Sequence, residues 1–480
     1  MRLRAVSASI SLSLLLMLAG TVAAADADQR HPRLGISPPD VLQPAFSWEA
    51  RTYAARCRDD DLVLEVEGAK RWKTRVAAAG FRGGSYRSRV ERTAGQAVWV
   101  SFKKKRRGRR RAVERHFRVR CLPADFPEFV FRRFRPGGPG LFSVGLHDGY
   151  ATIFSRYGAP IWWYKADYRA VDTKVLPDGT VSWNTNSGGI SGVFEIRMLN
   201  GELLRTLGTV GGTDLHDIQL LPNGNYIFGS LSSRSGVNTV AFGGAPDATT
   251  LDTEIQEVTP DGQVVDSWDS GDHLMLSEAG RRWGGIPSSD VSLPYDVSHW
   301  NSVEPAGKFM YLSFRNVDAV YKVNRKTGRI VWKLGGTETK KSLRVLNYPN
   351  DDYPLGAQHD ARIQPDGTIT VFNNRTDMDD PTPLAQRFEI DQKAGTARLV
   401  ETVSDRRVTP TFCCGSARLL ASGDWLVSWG NAGIVGAYNR AGRTIFRLFT
   451  PYYWSYRANP VPPGVVTVAE LRRAMDEMNR

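Results

Sequence analysis

Cysteine and histidine are scarce in this chain of 480 residues, with four of the first and seven of the second. The cysteines, Cys57, Cys121, Cys413 and Cys414, show no CxxC spacing, so a metal or redox site of that type is not supported. Cys57 and Cys121 bracket one compact segment and are expected to form a disulfide. Cys413 and Cys414 are neighbours, which strains a mutual bridge, so they read as small buried residues or as a vicinal disulfide. Long apolar runs are equally scarce. Past the N-terminus no stretch is long and apolar enough to span a bilayer, so the mature chain is expected to be soluble, without a stable membrane anchor.

The one apolar run lies in "MRLRAVSASISLSLLLMLAGTVAAADA": Arg2 and Arg4, an apolar core to about Ala19, then Ala23-Ala24-Ala25. This predicts a signal peptide over residues 1–25, removed on export, and a secreted or periplasmic location. Acidic excess is absent as well. The net charge is +13, but "KKKRRGRRR", residues 103–111, holds eight positive charges; without those and Arg2 and Arg4 the balance is +3. The basicity is therefore local. It sits between the strand-like runs "AVWVSF" and "ERHFRVRC", as a solvated hairpin tip would, with contact to an anionic cell envelope as the functional alternative. Nucleic-acid binding has no motif to support it and conflicts with export.

From about Arg33 to Pro127 the chain runs in short alternating segments such as "DLVLEVEG", without long helical periodicity. A small N-terminal β-sandwich-like domain is expected over residues 31–127. Beyond "RPGGPG" one phrase recurs: "VLPDGTVSW", "LLPNGNYIFG", "EPAGKFMYLSF", "IQPDGTITVF" and "LASGDWLVSW". Each is a strand, a glycine turn and a second strand, and most are followed by another hairpin. With "GLFSVGLHDGYATIFSRYGAPIWWYK" as a further unit, some six four-stranded repeats predict an all-β six-bladed β-propeller over residues 138–457, followed by a C-terminal tail, 458–480. The turn glycines Gly179, Gly224, Gly307, Gly367 and Gly423 are 45, 83, 60 and 56 residues apart. The widest gap implies an insertion over about 232–295, with "RSGVNTVAFGGAPDATT" as a loop and "HLMLSEAGRRW" as a short helix.

Alignment on those glycines places His216, His299 and His359 each eight residues before a turn. Equal register on the inner strand of a propeller means equal height, so the three imidazoles should converge at one end of the central channel. Val171 and Gly415 occupy the position in other repeats, which makes the ring one-sided. Arg315 and Arg375, eight after their turns, return to the same end, and Asn301 shares a strand face with His299. Asp217 and Asp360, which follow histidines, should point away to backbone or solvent. Three histidines could hold a metal, but neighbouring guanidiniums repel a cation and no Asp or Glu stands at an equivalent position. Arg, Asn and His converge better on a tetrahedral oxyanion, a sulfate or phosphate ester, with no metal and no cofactor.

At "DLHDIQLLPNGNYIFG", "DVSHWNSVEP", "YLSFRNVDAVYKVNRKTGRIVWKLGG" and "QHDARIQPDGTITVFNN" the sequence resembles the arylsulfate sulfotransferase family, PAPS-independent bacterial enzymes built on a six-bladed β-propeller. The resemblance implies ping-pong transfer of a sulfuryl group from a phenolic sulfate ester to a phenolic acceptor through a sulfohistidine. It implies His359 as nucleophile, with His299 suited to general acid/base work and His216, Arg315 and Asn301 to stabilising the sulfuryl oxygens. An aromatic substrate needs an apolar mouth: Trp300 and Arg375 are substrate-binding candidates, with Trp283, Tyr353, Phe412, Trp429 and Tyr456 as further aromatics. Two other readings stand beside it: a quinone-dependent dehydrogenase, from "KTGRIVW", and a non-catalytic propeller that binds anionic polymers through residues 103–111. A homodimer is compatible with any of them.

Overall fold

The computed structural model describes residues 31–37, 41–57, 61–105, 112–146, 149–209, 211–287, 293–348, 353–451 and 455–480. The expected export signal, 1–25, and residues 106–111 of the basic run lie outside them. Among the described residues no helix is long and apolar enough to cross a membrane.

Among the described residues the chain is all-β except for 3-10 segments and a helix near the C-terminus. Its N-terminal part forms two sheets. Arg33–Ile36, Asp61–Glu67 and Tyr86–Glu91 make one; Thr52–Arg56, Val113–Leu122, Ala97–Lys104 and Trp72–Val76 make the other. Alternation decides which face is buried: Leu62, Leu64 and Val66 enter a core shared with Val98, Val100, Phe102, Phe117 and Val119. Cys57 and Cys121 form the expected disulfide, closing 64 residues of sequence.

Among the described residues the rest of the chain gives sheets of four, nine, four, five and five strands, in which six successive, mainly antiparallel units can be followed. In order, their first strands are Leu141–Leu146, Arg169–Val175, Thr213–Leu220, Trp300–Ala306, His359–Ile363 and Ser416–Leu419. The repeated turns have a simple chemistry. In "PDGT" the Asp366 carboxylate accepts from the Thr368 backbone N–H at 3.1 Å and hydroxyl at 2.7 Å, while Gly367 takes φ 82°, which a side chain would resist. The second to sixth first strands touch in succession, and the circuit closes through Ala458–Pro460, which touches both Ser416–Leu419 and Arg169–Val175.

That closure changes the reading of the C-terminus. Residues 458–480, expected to trail as a tail, begin with a strand: Ala458–Pro460 pairs antiparallel with Phe142–Val144 and completes the first unit. A helix then runs Val468–Met478, started by a capping box between Thr467 and Glu470. Leu471, Ala474 and Met475 are buried in the same core as Trp162 and Trp163 of the first unit, and Asp476 pairs with Arg118 and Arg120 of the N-terminal part. Val130–Arg133, N-terminal to "RPGGPG", becomes the outer strand of the last unit, against Thr444–Phe449.

The insertion is also more regular than its composition suggests. "RSGVNTVAFGGAPDATT", expected as a loop, is the end of a long hairpin in which Tyr226–Val237 pairs with Ala248–Val258. The ladder continues because Ser232, Ser233 and Arg234 still find partners in Asp252, Leu251 and Thr250. The expected short helix is a 3-10 segment, Leu276–Gly285, kinked at Gly280.

Replacing Cys57 and Cys121 together by serine releases the loop they close, which should lower stability by about 4 kcal/mol on the chain-entropy account. A fall in the urea midpoint of near-unchanged slope would show it; an unchanged midpoint would mean that the bridge constrains nothing.

Candidate functional site

The first strands do not hold strict alternation. The ladder shifts register at Val171/Lys174, Thr213/Ile218, Trp300/Ser302 and His359/Arg362, and Asp172, His299 and Asp360 take φ of 51°, 47° and 59°. Such bulges re-aim side chains, so neighbours in sequence no longer face opposite ways. Asp217 and Asp360, expected to bind backbone or solvent, do accept backbone N–H groups, of Val303 and of Ala417, each at 3.1 Å, but solvent is a correction: both are wholly buried between units. Asp217 pairs with Lys174 at 2.6 Å and Arg362 at 2.7 Å; Asp360 pairs with Arg362 at 2.9 Å and Arg418 at 2.8 Å. Arg457 lies 3.4 Å from each of Asp172, Asp217 and Asp360. It also donates to the carbonyl oxygens of His216, at 2.9 Å, and Asn301.

Above this ion cluster the three register-matched imidazoles meet. The rings of His216 and His299 are 5.1 Å apart, and Tyr456 stands 5.5 Å from His216 and 6.5 Å from His359. Each Nδ1 has its own partner. Asp214 holds that of His216 at 2.5 Å, and Asp296 holds that of His299. His359 instead faces the Asn374 amide oxygen at 2.7 Å and the Ala357 carbonyl at 2.9 Å. The Asn374 NH2 donates to Thr411 Oγ1 and the Cys414 carbonyl, which leaves its oxygen for the imidazole. His359 must then carry its proton on Nδ1, and its Nε2 accepts from the Cys414 N–H at 3.2 Å.

These partners divide the histidines by charge. Burial, then the positive charge of Arg315, pushes His359 well below its ordinary pKa, and the hydrogen bond to Asn374 opposes this only in part. It is neutral near neutral pH. Burial pulls His299 down too, but the Asp296 carboxylate, by charge and by hydrogen bond, outweighs it and raises the pKa. A neutral imidazole with a lone pair on Nε2 thus shares a site with one that readily holds a second proton.

The other expected site residues fall into two groups. Arg315 is near: its backbone N–H bonds the His299 carbonyl at 2.8 Å, and its guanidinium donates to Asn316 Oδ1 and the Phe412 carbonyl. Asn301 is near as well, but its amide donates to the Gln358 carbonyl at 2.8 Å and accepts from the Asp360 N–H at 3.3 Å. It thus braces the backbone on either side of His359. Arg375 directs its guanidinium to Asp380 at 2.7 Å and to the Thr382 carbonyl. Trp300 is fully buried in core with its ring 6.4 Å from His216. Trp283 and Trp429 are buried as well, Tyr353 stacks under Arg281, and Phe412 is 63% exposed. Of these aromatics Tyr456 is the one whose ring lies against two of the imidazoles, His216 and His359.

Asp214, Asp296 and Asn374 were not foreseen. Two of them stand two and three residues before their histidines, in "TDLHD" and "YDVSH", where a carboxylate partner is legible once the bulge is known. Among the described residues no group of three or more His, Cys, Asp or Glu is arranged to hold a metal ion.

Residues 207–450 match the family model described as arylsulfotransferase (ASST). No curated protein matches the sequence. Among solved structures, the chain is similar to a protein of unknown function from Bacteroides caccae, with 10% identity, 68% of this chain and 99% of that chain covered, and a TM-score of 0.43. It is also similar to a catalytically inactive virginiamycin B lyase from Staphylococcus aureus, with 12% identity, 70% and 90% covered and a TM-score of 0.36. The β-propeller domain of Myceliophteria thermophila Cps50 (Swd1) gives 9%, 67% and 88%, and 0.38. Similarity at this level carries neither fold nor function.

The lift on His299 should vanish in Asp296→Asn, because burial and the Arg315 charge then meet only the weaker pull of Asp214, and its titration followed by NMR should move below that of a free histidine. Linkage gives the matching stability change. A raised pKa contributes stability below about pH 6.5, the unfolded value, and loses it as pH rises through the folded value. Asp296→Asn should therefore lose stability on the acidic side relative to the parent. An unmoved His299 titration would refute the pairing.

Proposed function

Because the chain belongs to the arylsulfotransferase family, we propose that it moves a sulfuryl group from a phenolic sulfate ester to a phenolic acceptor, in two steps, through a sulfohistidine at His359. The observation that carries this reading is the tautomer of His359. With Nδ1–H given to Asn374 and Ala357, the lone pair sits on Nε2, and the depressed pKa keeps it unprotonated.

In the first step Nε2 forms a bond to sulfur as the bond from sulfur to the phenolic oxygen breaks. The departing oxygen takes a proton from His299, whose Asp296 partner supports the protonated form. In the second step the acceptor phenol returns a proton to His299, its oxygen bonds to sulfur, and the bond from Nε2 to sulfur breaks. Arg315 and His216 stabilise charge on the sulfuryl oxygens in this reading. The Cys414 N–H, now on Nε2, is displaced by the sulfur and is left beside the transferred group as a further donor. Asn301 serves here as a positioning residue for the His359 backbone, and Arg375, tied to Asp380, is read as shaping the rim.

The cyclic contacts of the inner strands support reading the six units as a six-bladed propeller behind a two-sheet N-terminal domain. The Cys57–Cys121 bridge supports export to an oxidising compartment. Aryl sulfates and phenols are the substrates this family implies.

Brief exposure to a chromogenic aryl sulfate should add one SO3 unit to the intact mass, and His359→Ala should lack it and lose turnover by at least about 10^3-fold. Retention of the adduct in His359→Ala would sink the assignment. Asn374→Asp places a carboxylate against Nδ1–H and raises the His359 pKa, so turnover should fall at acidic pH and recover as pH rises. A pH profile identical to the parent's would show that Asn374 does not set the protonation of His359.

A further inference from the structure

The thiols of Cys413 and Cys414 take no part in the proposed reaction, yet they lie against the site. Neither is in a disulfide. Cys414 is buried, while Cys413 is partly exposed. The backbone around them touches three side chains of the site. The Cys414 N–H donates to His359 Nε2 at 3.2 Å, its carbonyl accepts from Asn374 at 3.1 Å, and the Phe412 carbonyl accepts from Arg315 at 3.0 Å. Cys414 also has φ 67°, a left-handed conformation rare for a side-chain-bearing residue, followed by Gly415 at 108°.

We propose that Cys413 and Cys414 form a thiol-modification site that reacts with low-molecular-weight disulfides and closes into a vicinal disulfide, displacing the peptide that faces His359. The effect on transfer rests on the sulfotransferase reading; the modification itself does not.

The two thiols are unequal in a way that orders the exchange. The hydrogen bond from Cys414 lowers the Cys413 thiol, burial opposes it, and Arg315 lowers it further; burial raises Cys414 strongly. Cys413 thiolate attacks one sulfur of the disulfide reagent, forming a mixed disulfide and expelling one thiolate. Cys414 then attacks the Cys413 sulfur, its proton leaving with the second thiol, so the reagent is reduced to two thiols and the pair is oxidised by two electrons. Adjacent Cα atoms are held about 3.8 Å apart by the trans peptide, closer than an unstrained disulfide prefers. A bridge formed there is easily reduced, which is the character of a reversible rather than a structural disulfide. The Cys57–Cys121 bridge in the same chain requires the surroundings in which such exchange takes place.

Closing the ring must pull the 413–414 peptide toward a new geometry, because two free thiols on adjacent residues have to come within a covalent bond of each other. The donor on His359 Nε2 and the acceptor for Asn374 both belong to that peptide or its immediate continuation. Loss of the second contact frees the amide that sets the His359 tautomer. The expected result is an enzyme silenced while oxidised.

The full-length protein, treated with oxidised glutathione, alkylated with iodoacetamide and digested with trypsin, releases residues 408–418 as one peptide. We expect that peptide two hydrogen masses lighter and unalkylated, with both thiols recovered after dithiothreitol. Turnover of an aryl sulfate should fall by about tenfold or more and return with the reductant. Cys413→Ser should turn over the donor as the parent does and keep doing so in the oxidant. Two alkyl groups on the oxidised peptide, or a glutathione adduct that never resolves, would overturn the site. A closed bridge with unchanged turnover overturns the link to His359. If the bridge forms in a protein that transfers nothing even when reduced, the sulfotransferase reading fails and the dithiol site stands.

Discussion

Arg457 is a fully buried guanidinium with three carboxylates, two backbone carbonyls and the Tyr456 hydroxyl around it. Removing any charge from this cluster leaves an opposite one stranded in a low-dielectric interior, a far greater cost than the pair contributes when whole. The arrangement therefore acts less as glue than as a demand for one geometry. Its carbonyl contacts are at His216 and Asn301, on two different units, while Asp360 follows His359 on a third. The positions of the imidazoles are thus tied to a single buried cation.

The same economy of position explains how three identical side chains come to differ. An isolated histidine titrates near 6.5, too close to neutrality to commit to either role. The carboxylate behind His299 raises it, while burial and then the charge of Arg315 depress His359 against the opposing pull of its carboxamide partner. Both partners bind through Nδ1, so Nε2 is left for other contacts, which for His359 is the Cys414 N–H.

Most of the repeat pattern was legible because it rests on local chemistry. An Asp-Gly turn announces itself in four residues, and a count of eight back from its glycine found His216, His299 and His359 in one register. What failed was the rule of strict alternation. The burial of Asp217 and Asp360 in an ion cluster was not seen because a bulge leaves no mark in composition, only, at Asp360, a positive φ that aspartate tolerates. The partners of the imidazoles were missed for a related reason: Asp214 and Asp296 lie at unequal offsets, and Asn374 comes from the return strand side. Tyr456 and Arg457 could not be found by register at all, since they precede a strand that borrows its unit from the other end of the chain. Trp300 looked like a wall of the mouth and is core, which is the commoner fate of a tryptophan on an inner strand.

The closing strand has a temporal meaning as well as a spatial one. Ser143 and Asn459, which touch across that seam, are 316 residues apart. A chain synthesised from its N-terminus has all three imidazoles available long before Tyr456 and Arg457 arrive to seat them. The two distant ends of the repeat region are stitched together only when that last strand pairs.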